Sequence, residues 1–333
     1  MKVLITGSAG FIGFSLAERL LDKGHKVLGF DSLNSYYDTR LKISRNNILK
    51  KYKNYTFVKG KLENDAKLNR SVLRFKPNII IHLAAQAGVR YSLEVPKKYI
   101  SSNIVGTFNI IEIAKKIKIK HLLIASSSSV YGSNKTKKFR EIDKADTQLS
   151  IYAATKKASE SLAHSYSSLW NIPITMLRFF TVYGPWGRPD MAYFKFSNAI
   201  MNNKNINIFN RGEMYRDFTY IDDVTKSIEL LINKSPSAKS KKFKNDSLSK
   251  VAPFRIVNIG NQKKVYLKNF ISELENRLKI KARKKFLPMQ KGDVKETLSN
   301  TELLRQLINY KPHVSYHLGI KKFVEWYKSY YNK

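Results

Sequence analysis

Residues 2–31 read KVLITGSAGFIGFSLAERLLDKGHKVLGFD. The apolar run Val3-Leu4-Ile5 ends in Gly7-Ser8-Ala9-Gly10-Phe11-Ile12-Gly13, helical spacing follows over 11–23, and a second apolar run fills 26–30. A strand, a Gly-rich turn, a helix and a strand in so short a stretch predict a parallel βαβ unit. The alternation continues, with strands at 55–60, 78–84, 121–126 and 174–179 and helices at 97–117 and 152–170. These strands are rich in Val, Ile and Leu without polar alternation, the pattern of a sheet buried on both faces. After Tyr183-Gly184-Pro185 the rhythm changes. A helix near 191–202, a strand at 206–210, the stretch RDFTYIDD at 216–223, strands at 254–260 and 283–287, a helix at 266–279 and terminal helices to about 330 make a mixed second part. The polar, Ser/Lys-rich residues 234–253 read as an exposed loop. The fold class is therefore α/β, a doubly wound parallel sheet with a smaller mixed α/β lobe.

The glycines have a chemical reading. They permit a tight turn and let the backbone approach a pyrophosphate, which the N–H groups at the start of the helix then receive. Asp31 ends the next strand, where a carboxylate accepts hydrogen bonds from both adenosine-ribose hydroxyls and repels a 2′-phosphate. No Lys or Arg follows Asp31 before Arg40, so NAD is expected rather than NADP. A structural Gly turn with a surface Asp is the bland alternative. Residues 1–180 are expected to bind NAD. Residues 181–333 mainly form the second lobe, with a strand or helix near 210–260 free to return to the first domain.

Two further motifs bear on catalysis. Tyr152-Ala153-Ala154-Thr155-Lys156 places Tyr152 and Lys156 on one helix face. A Lys ammonium near a phenol favours the phenolate, a proton acceptor for alcohol oxidation. Ser126-Ser127-Ser128-Ser129 ends the strand at 121–126, on the carboxyl edge where such sheets bind ligands. By chance alone, Y-x-x-x-K and a serine turn are both common.

Composition narrows the field. The chain has 333 residues, no Cys, and 61 Lys+Arg against 25 Asp+Glu, a formal charge of +36. Without Cys there is no disulfide scaffold, Cys-ligated zinc, iron–sulfur cluster or thiol nucleophile. The basic residues are scattered rather than blocked, so no specific nucleic-acid partner is expected. The six His show no metal pattern, and no metal is expected. No apolar run reaches the roughly 18 residues of a membrane span. The start superficially resembles a signal peptide, but glycines interrupt it and Glu18-Arg19 follow. A cytoplasmic location is expected.

Together, the three motifs resemble the extended short-chain dehydrogenase/reductases that act on nucleotide sugars, and the resemblance spans nearly the whole chain. It implies a Rossmann domain with Ser127, Tyr152 and Lys156 as catalytic residues. For NAD it implies Gly7, Gly10, Phe11, Ile12, Gly13, Asp31, Ser32, Asn34, Leu62, Leu83, Ala84, Ala85, Gln86 and Asn103, besides Tyr152 and Lys156. Dehydratases of this family carry Thr-Asp-Glu where this chain has Ser127-Ser128-Ser129, so elimination chemistry is not expected. The segments Asp31–Asp38, Ala84–Ser92, Arg178–Ala192 and Gln290–Val294 are similar to those of UDP-glucuronate 4-epimerases.

That likeness implies a UDP-sugar substrate and a homodimer. C4 is oxidised to a transient ketone and reduced from the opposite face. Arg90, Ser127, Ser128, Ser129, Thr181, Arg188, Arg211, Arg216 and Asp293 are the implied substrate-binding residues. Of these, Ser127–Ser129, Thr181 and Arg188 face the uronate carboxylate, Arg216 and the weaker candidate Arg211 the pyrophosphate, and Asp293 the ribose. Two departures stand out: Lys61 replaces the usual adenine-contacting Asp, and Lys291 the usual Pro. The alternatives are a 4-epimerase of UDP-glucose or a UDP-N-acetylhexosamine, a net reductase or dehydratase, and a non-catalytic NAD-binding regulatory protein.

Overall fold

The computed structural model describes residues 1–237, 239–290 and 292–332, so Lys291 lies outside the described residues. Its strands are β1 (Lys2–Thr6), β2 (Lys26–Asp31), β3 (Tyr55–Lys59), β4 (Ile79–His82), β5 (His121–Ser127), β6 (Ile174–Phe179), β7 (Thr181–Tyr183), β8 (Asn205–Phe209), β9 (Tyr215–Tyr220), β10 (Phe254–Ile259), β11 (Lys264–Tyr266) and β12 (Arg283–Leu287). Seven of them form one sheet in the order β10-β6-β5-β4-β1-β2-β3, with every pairing parallel.

The strand residues explain the layering. Successive side chains of a strand point to opposite faces. Val3 and Ile5 pack with Phe14, Leu16 and Leu20 of the helix Phe11–Asp22. Leu4, Leu28, Ile80 and Leu122 face the other way, onto Leu68, Val72, Ile110 and Ile111. Each side chain so buried contributes about 1.5–3 kcal/mol. The strand order reverses between β1 and β4, and the loops after these strands open a crevice at the carboxyl edge.

The second lobe has a three-stranded sheet, β11-β9-β7, and a parallel pair, β12-β8. After β9 the helix Ile221–Ile232 returns to the first domain, where Glu229 pairs with Arg19 and Lys23 of the first helix and its margin. The chain then adds β10 to the outside of the main sheet before building the rest of the lobe. Asp217, fully buried on β9, ties this region together. It accepts the N–H of Asn261 at 2.8 Å, of Gln262 at 3.0 Å and of Ser299 at 3.1 Å. The terminal helix Tyr316–Tyr331 lays Trp326 and Tyr330 against Trp186, at 5.3 and 5.1 Å between ring centres.

One expected helix is corrected. Residues 97–117 are not a single α-helix: Pro96–Tyr99 is one α-helical turn, Ile100–Val105 a π-helix, and α-helix resumes over Gly106–Lys116. The wide π turn carries Asn103 into the interior, where its side chain bonds Gln86 and Thr155. Wide turns of this kind recur at functional sites. Among the described residues, no helix is long and apolar enough to cross a membrane.

A buried carboxyl makes the stability pH-dependent. Burial pushes Glu141 up to about 7, although its side chain accepts the Asn258 N–H at 2.9 Å. A carboxyl whose pKa is raised on folding holds its proton more tightly in the folded state. Its contribution is complete below the unfolded value of about 4.5 and is lost as pH rises through about 7. The loss is at most about 3 kcal/mol. Urea unfolding of the wild type and Glu141→Gln across pH 5–8 should give stability curves that converge at low pH and part at high pH, with the variant the more stable at the alkaline end. Parallel curves would contradict this.

Candidate active site

A cleft of about 1640 Å³ runs from the crevice between β1 and β4 to the second lobe. Every site residue expected from the sequence lines it except Asn103 and Arg211. Asn103 is fully buried and acts from behind, accepting the Gln86 N–H at 2.8 Å and donating to Gln86 O at 3.1 Å and Thr155 Oγ1 at 3.0 Å. It holds the loop that lines the cleft rather than lining it. Arg211 sits in the tight turn Asn210–Gly212 with φ 50° and borders a separate hollow with Lys268 and Phe286. The turn carries it away from the cleft.

The dinucleotide end is shaped by backbone. Gly7 has φ +73°, and a Cβ there would lie 2.8 Å from Ala84 N. A Cβ on Gly13 would lie 2.0 Å from Gly7 O, so helix and turn approach as only Gly allows. Gly10 caps the first helix without a side-chain bond, leaving its first N–H groups for an anion. Asp31 is buried at the rim and accepts from Ala9 N at 3.1 Å and Leu33 N at 2.8 Å. Lys42 Nζ, bonded to Asn34 O at 2.8 Å and Asn34 Oδ1 at 2.6 Å, fixes the loop after β2. At the far end Glu63 accepts from Ser102 Oγ at 2.8 Å beside the exposed Lys61. These features fit NAD: free helix N–H groups for its pyrophosphate and a fixed carboxylate for its ribose.

The reactive end is built on two chain segments. Ser150 Oγ accepts the Ala153 N–H at 3.1 Å, capping the helix Ile151–Trp170 and setting Tyr152 in its first turn. Lys156, one turn on, is buried and donates to Ala125 O at 2.8 Å. Ser127 ends β5, and its Oγ accepts the Ser129 N–H at 3.1 Å. Burial raises the Tyr152 pKa; Ser127 and then the Arg188 charge pull it back without reversing the shift. In the free protein the upward effect of burial prevails at this phenol. Burial lowers the Lys156 ammonium itself to about 8, opposed by Glu160, and the ammonium is bonded to Ala125 O.

Behind these groups Glu160 accepts from Ser126 Oγ at 2.6 Å and from Arg178 Nε and Nη2 at 2.8 Å each. Arg178 also lies over the Tyr131 ring at 4.7 Å. On the second-lobe side Arg90 pairs with Asp293 at 2.9 Å and covers the Phe209 ring at 4.6 Å. Arg216 is held by Tyr215 O at 2.8 Å and Lys295 O at 3.2 Å. Arg188 does not stand free: its guanidinium binds both oxygens of Asp190, with Nε to Oδ1 at 3.0 Å. Tyr36 donates to Asp190 Oδ2 at 3.2 Å. Among the described residues, no three His, Cys, Asp or Glu gather as metal ligands.

Asp190, Tyr36, Lys42 and Glu160 were not assigned from sequence. Tyr36 and Asp190 both lie in the segments whose likeness was noted, but their bond joins residues 154 positions apart, which no local pattern reveals.

The family model described as GDP-mannose 4,6 dehydratase matches residues 4–323. "Protein CapI" of Staphylococcus aureus is 49% identical over all of both chains. A "Probable UDP-glucuronate 4-epimerase" of Rhizobium meliloti (strain 1021) is 49% identical over 100% of this chain and 98% of its own. The crystal structure of UDP-glucuronic acid 4-epimerase from Bacillus cereus, in complex with UDP-glucuronic acid and NAD, superposes with a TM-score of 0.89 at 32% identity, covering 99% of this chain and 100% of that one. With a family match over nearly its whole length and relatives at this identity, the chain belongs to the GDP-mannose 4,6 dehydratase family of nucleotide-sugar short-chain dehydrogenase/reductases.

Proposed function

We propose that this protein is an NAD-dependent UDP-sugar 4-epimerase whose substrate pair is UDP-glucuronate and UDP-galacturonate. One observation carries the reading: Ser127, Tyr152 and Arg188 border a single cleft that continues into the dinucleotide crevice, with hydroxyls rather than carboxylates at 127–129. The relatives named above support it.

NAD, when bound, supplies reversible hydride exchange at the sugar C4 and a positive charge beside the phenol. The chain does the rest. Tyr152 Oη takes the proton of the sugar 4-OH, with Ser127 Oγ bridging the two oxygens, and returns it once the configuration has inverted. Lys156 supports the phenolate and the ribose hydroxyls. Gly7 to Gly13 hold the pyrophosphate of the cofactor, and Asp31 its ribose. On the sugar-nucleotide side Arg216 faces the diphosphate and Asp293 the uridine ribose, with Arg90 paired to Asp293. A 4-keto uronate is a β-keto acid, prone to lose CO₂ when the bond to its carboxylate stands perpendicular to the ketone plane. Ser128, Ser129, Thr181 and Arg188 hold the carboxylate out of that orientation. An Arg fork suits a planar carboxylate.

A homodimer is part of the same reading. Val105, Phe108, Leu169 and Trp170 are exposed on neighbouring helices, an apolar face suited to a second copy. A chain without Cys that uses NAD and a nucleotide sugar fits a cytoplasmic setting. The scattered lysines give no reason to add a nucleic-acid partner.

The test is incubation of the NAD-loaded protein with UDP-glucuronate deuterated at C4. UDP-galacturonate that keeps the label, without CO₂, is the expected product. Conversion of UDP-glucose alone, or accumulation of a keto sugar or NADH, would overturn the assignment.

A further inference from the structure

We propose that Asp190 sets sugar selectivity: its carboxylate occupies the Arg188 fork as a built-in stand-in, which a uronate carboxylate displaces and a neutral sugar leaves in place. This rests on the reading of Arg188 given above.

The geometry is that of a filled anion site. Both oxygens of Asp190 meet the guanidinium, Nε to Oδ1 at 3.0 Å and Nη2 to Oδ2, the two-point match that a substrate carboxylate would make. Only Pro189 separates the two residues, so the stand-in is tethered at high local concentration. Neither partner is sealed off, with side-chain exposures of 27% for Arg188 and 17% for Asp190. Burial opposes ionisation of Asp190, but the Arg188 charge and its hydrogen bonds outweigh it and hold the carboxyl below the usual range. The subsite is therefore close to neutral before any sugar enters. An entering uronate brings a second carboxylate to one guanidinium, and the two compete.

The displaced carboxylate has somewhere to go. Tyr36 OH already donates to Asp190 Oδ2 at 3.2 Å. That hydroxyl is closely confined: a Cβ on Gly88 would lie 2.5 Å from it, and the ring rests on Tyr91 at 4.8 Å. Tyr36 is thus a fixed docking point for Asp190 when Arg188 turns to substrate.

The two partners predict opposite signs. Asp190→Asn empties the fork of its competitor, so affinity for UDP-glucuronate rises relative to UDP-glucose by about tenfold, the scale of one charge-assisted bond. Tyr36→Phe removes the docking point and makes displacement harder, so affinity for UDP-glucuronate falls relative to UDP-glucose. Both are read by calorimetric titration of NAD-loaded protein with each nucleotide sugar, in a Tyr152→Phe background that suppresses turnover. If Asp190 and Tyr36 merely brace the loop, both variants lose affinity for the two sugars alike, and that result overturns the proposal. An unaltered ratio in Asp190→Asn overturns it too. Should Asp190→Asn not fold, Tyr36→Phe decides alone: a loss confined to the uronate supports the proposal, an equal loss refutes it. The titrations are independent of turnover, so a wild type that binds both sugars but epimerises only UDP-glucose would sink the substrate assignment and leave this comparison readable.

Discussion

Tyr152→Phe lowers epimerisation by about a thousandfold, the scale of removing a positioned general base, while the nucleotide sugar still binds. The phenol is half-buried in the first turn of its helix, with Tyr99 edge-on at 6.2 Å between ring centres, so the missing oxygen leaves the ring packed. Ser127 cannot take over. Its hydroxyl accepts the Ser129 N–H, and a serine without a base of its own is a poor proton acceptor at neutral pH. Burial shifts the free phenol upward, so positive charge brought by a bound ligand would favour the phenolate. Single-turnover measurements with the variant check this, and a rate equal to the parent's would remove Tyr152 from the chemistry.

The largest effect on stability is expected behind the active site. In Glu160→Ala, Arg178 keeps its charge with only about 1% of its side chain exposed and loses both 2.8 Å bonds. Breaking one half of such a buried pair costs about 3–5 kcal/mol. Arg178→Met leaves a carboxylate in the same pocket and should cost a similar amount. Replacing both by apolar residues should recover most of the loss, because the desolvation of two charges is removed with their attraction. Urea unfolding of the two single variants and the double Glu160→Ala/Arg178→Met tests the cycle. Single variants within about 1 kcal/mol of wild type would show that the pair is not a stabilising element. Ser126 Oγ donates to the same Glu160, and Glu160 also supports the charge on Lys156. Activity of the single variants should therefore fall beyond what unfolding explains.

How far the sequence could be read depended on whether burial was apolar. The runs at β1, β2, β4, β5 and β6 bury mostly Val, Ile, Leu and similar residues, with polar exceptions such as His82, His121 and Arg178 too few to break the pattern, so they stand out against their surroundings, and Tyr152 and Lys156 were found by spacing within one helix. The helix Thr39–Leu49 was not seen, because its inward face includes Lys42, Arg45 and Asn46, whose polarity hides the period. Those residues face inward for a reason that only the fold shows. Arg45 donates to Ala9 O at 3.0 Å on the Gly-rich turn and to Gly187 O at 3.0 Å beside Arg188, joining two loops far apart in the chain. Likewise, spacing could not distinguish Arg211 from Arg216. A left-handed residue in the Asn210–Gly212 turn sends the former outside the cleft, whereas the latter is on β9 and lines it. The filled fork of Arg188 was equally hidden, since a guanidinium reads the same from sequence whether or not a neighbour already satisfies it.

The late arrival of β10 has a consequence for protein engineering. A chimera spliced once near residue 180, donating everything downstream from a relative, would also replace the strand that flanks β6 and the helix that packs on Phe11–Asp22. Recombination that respects the architecture needs several junctions, with Ile221–Ile232 and Phe254–Ile259 kept from the host and the intervening pieces exchanged.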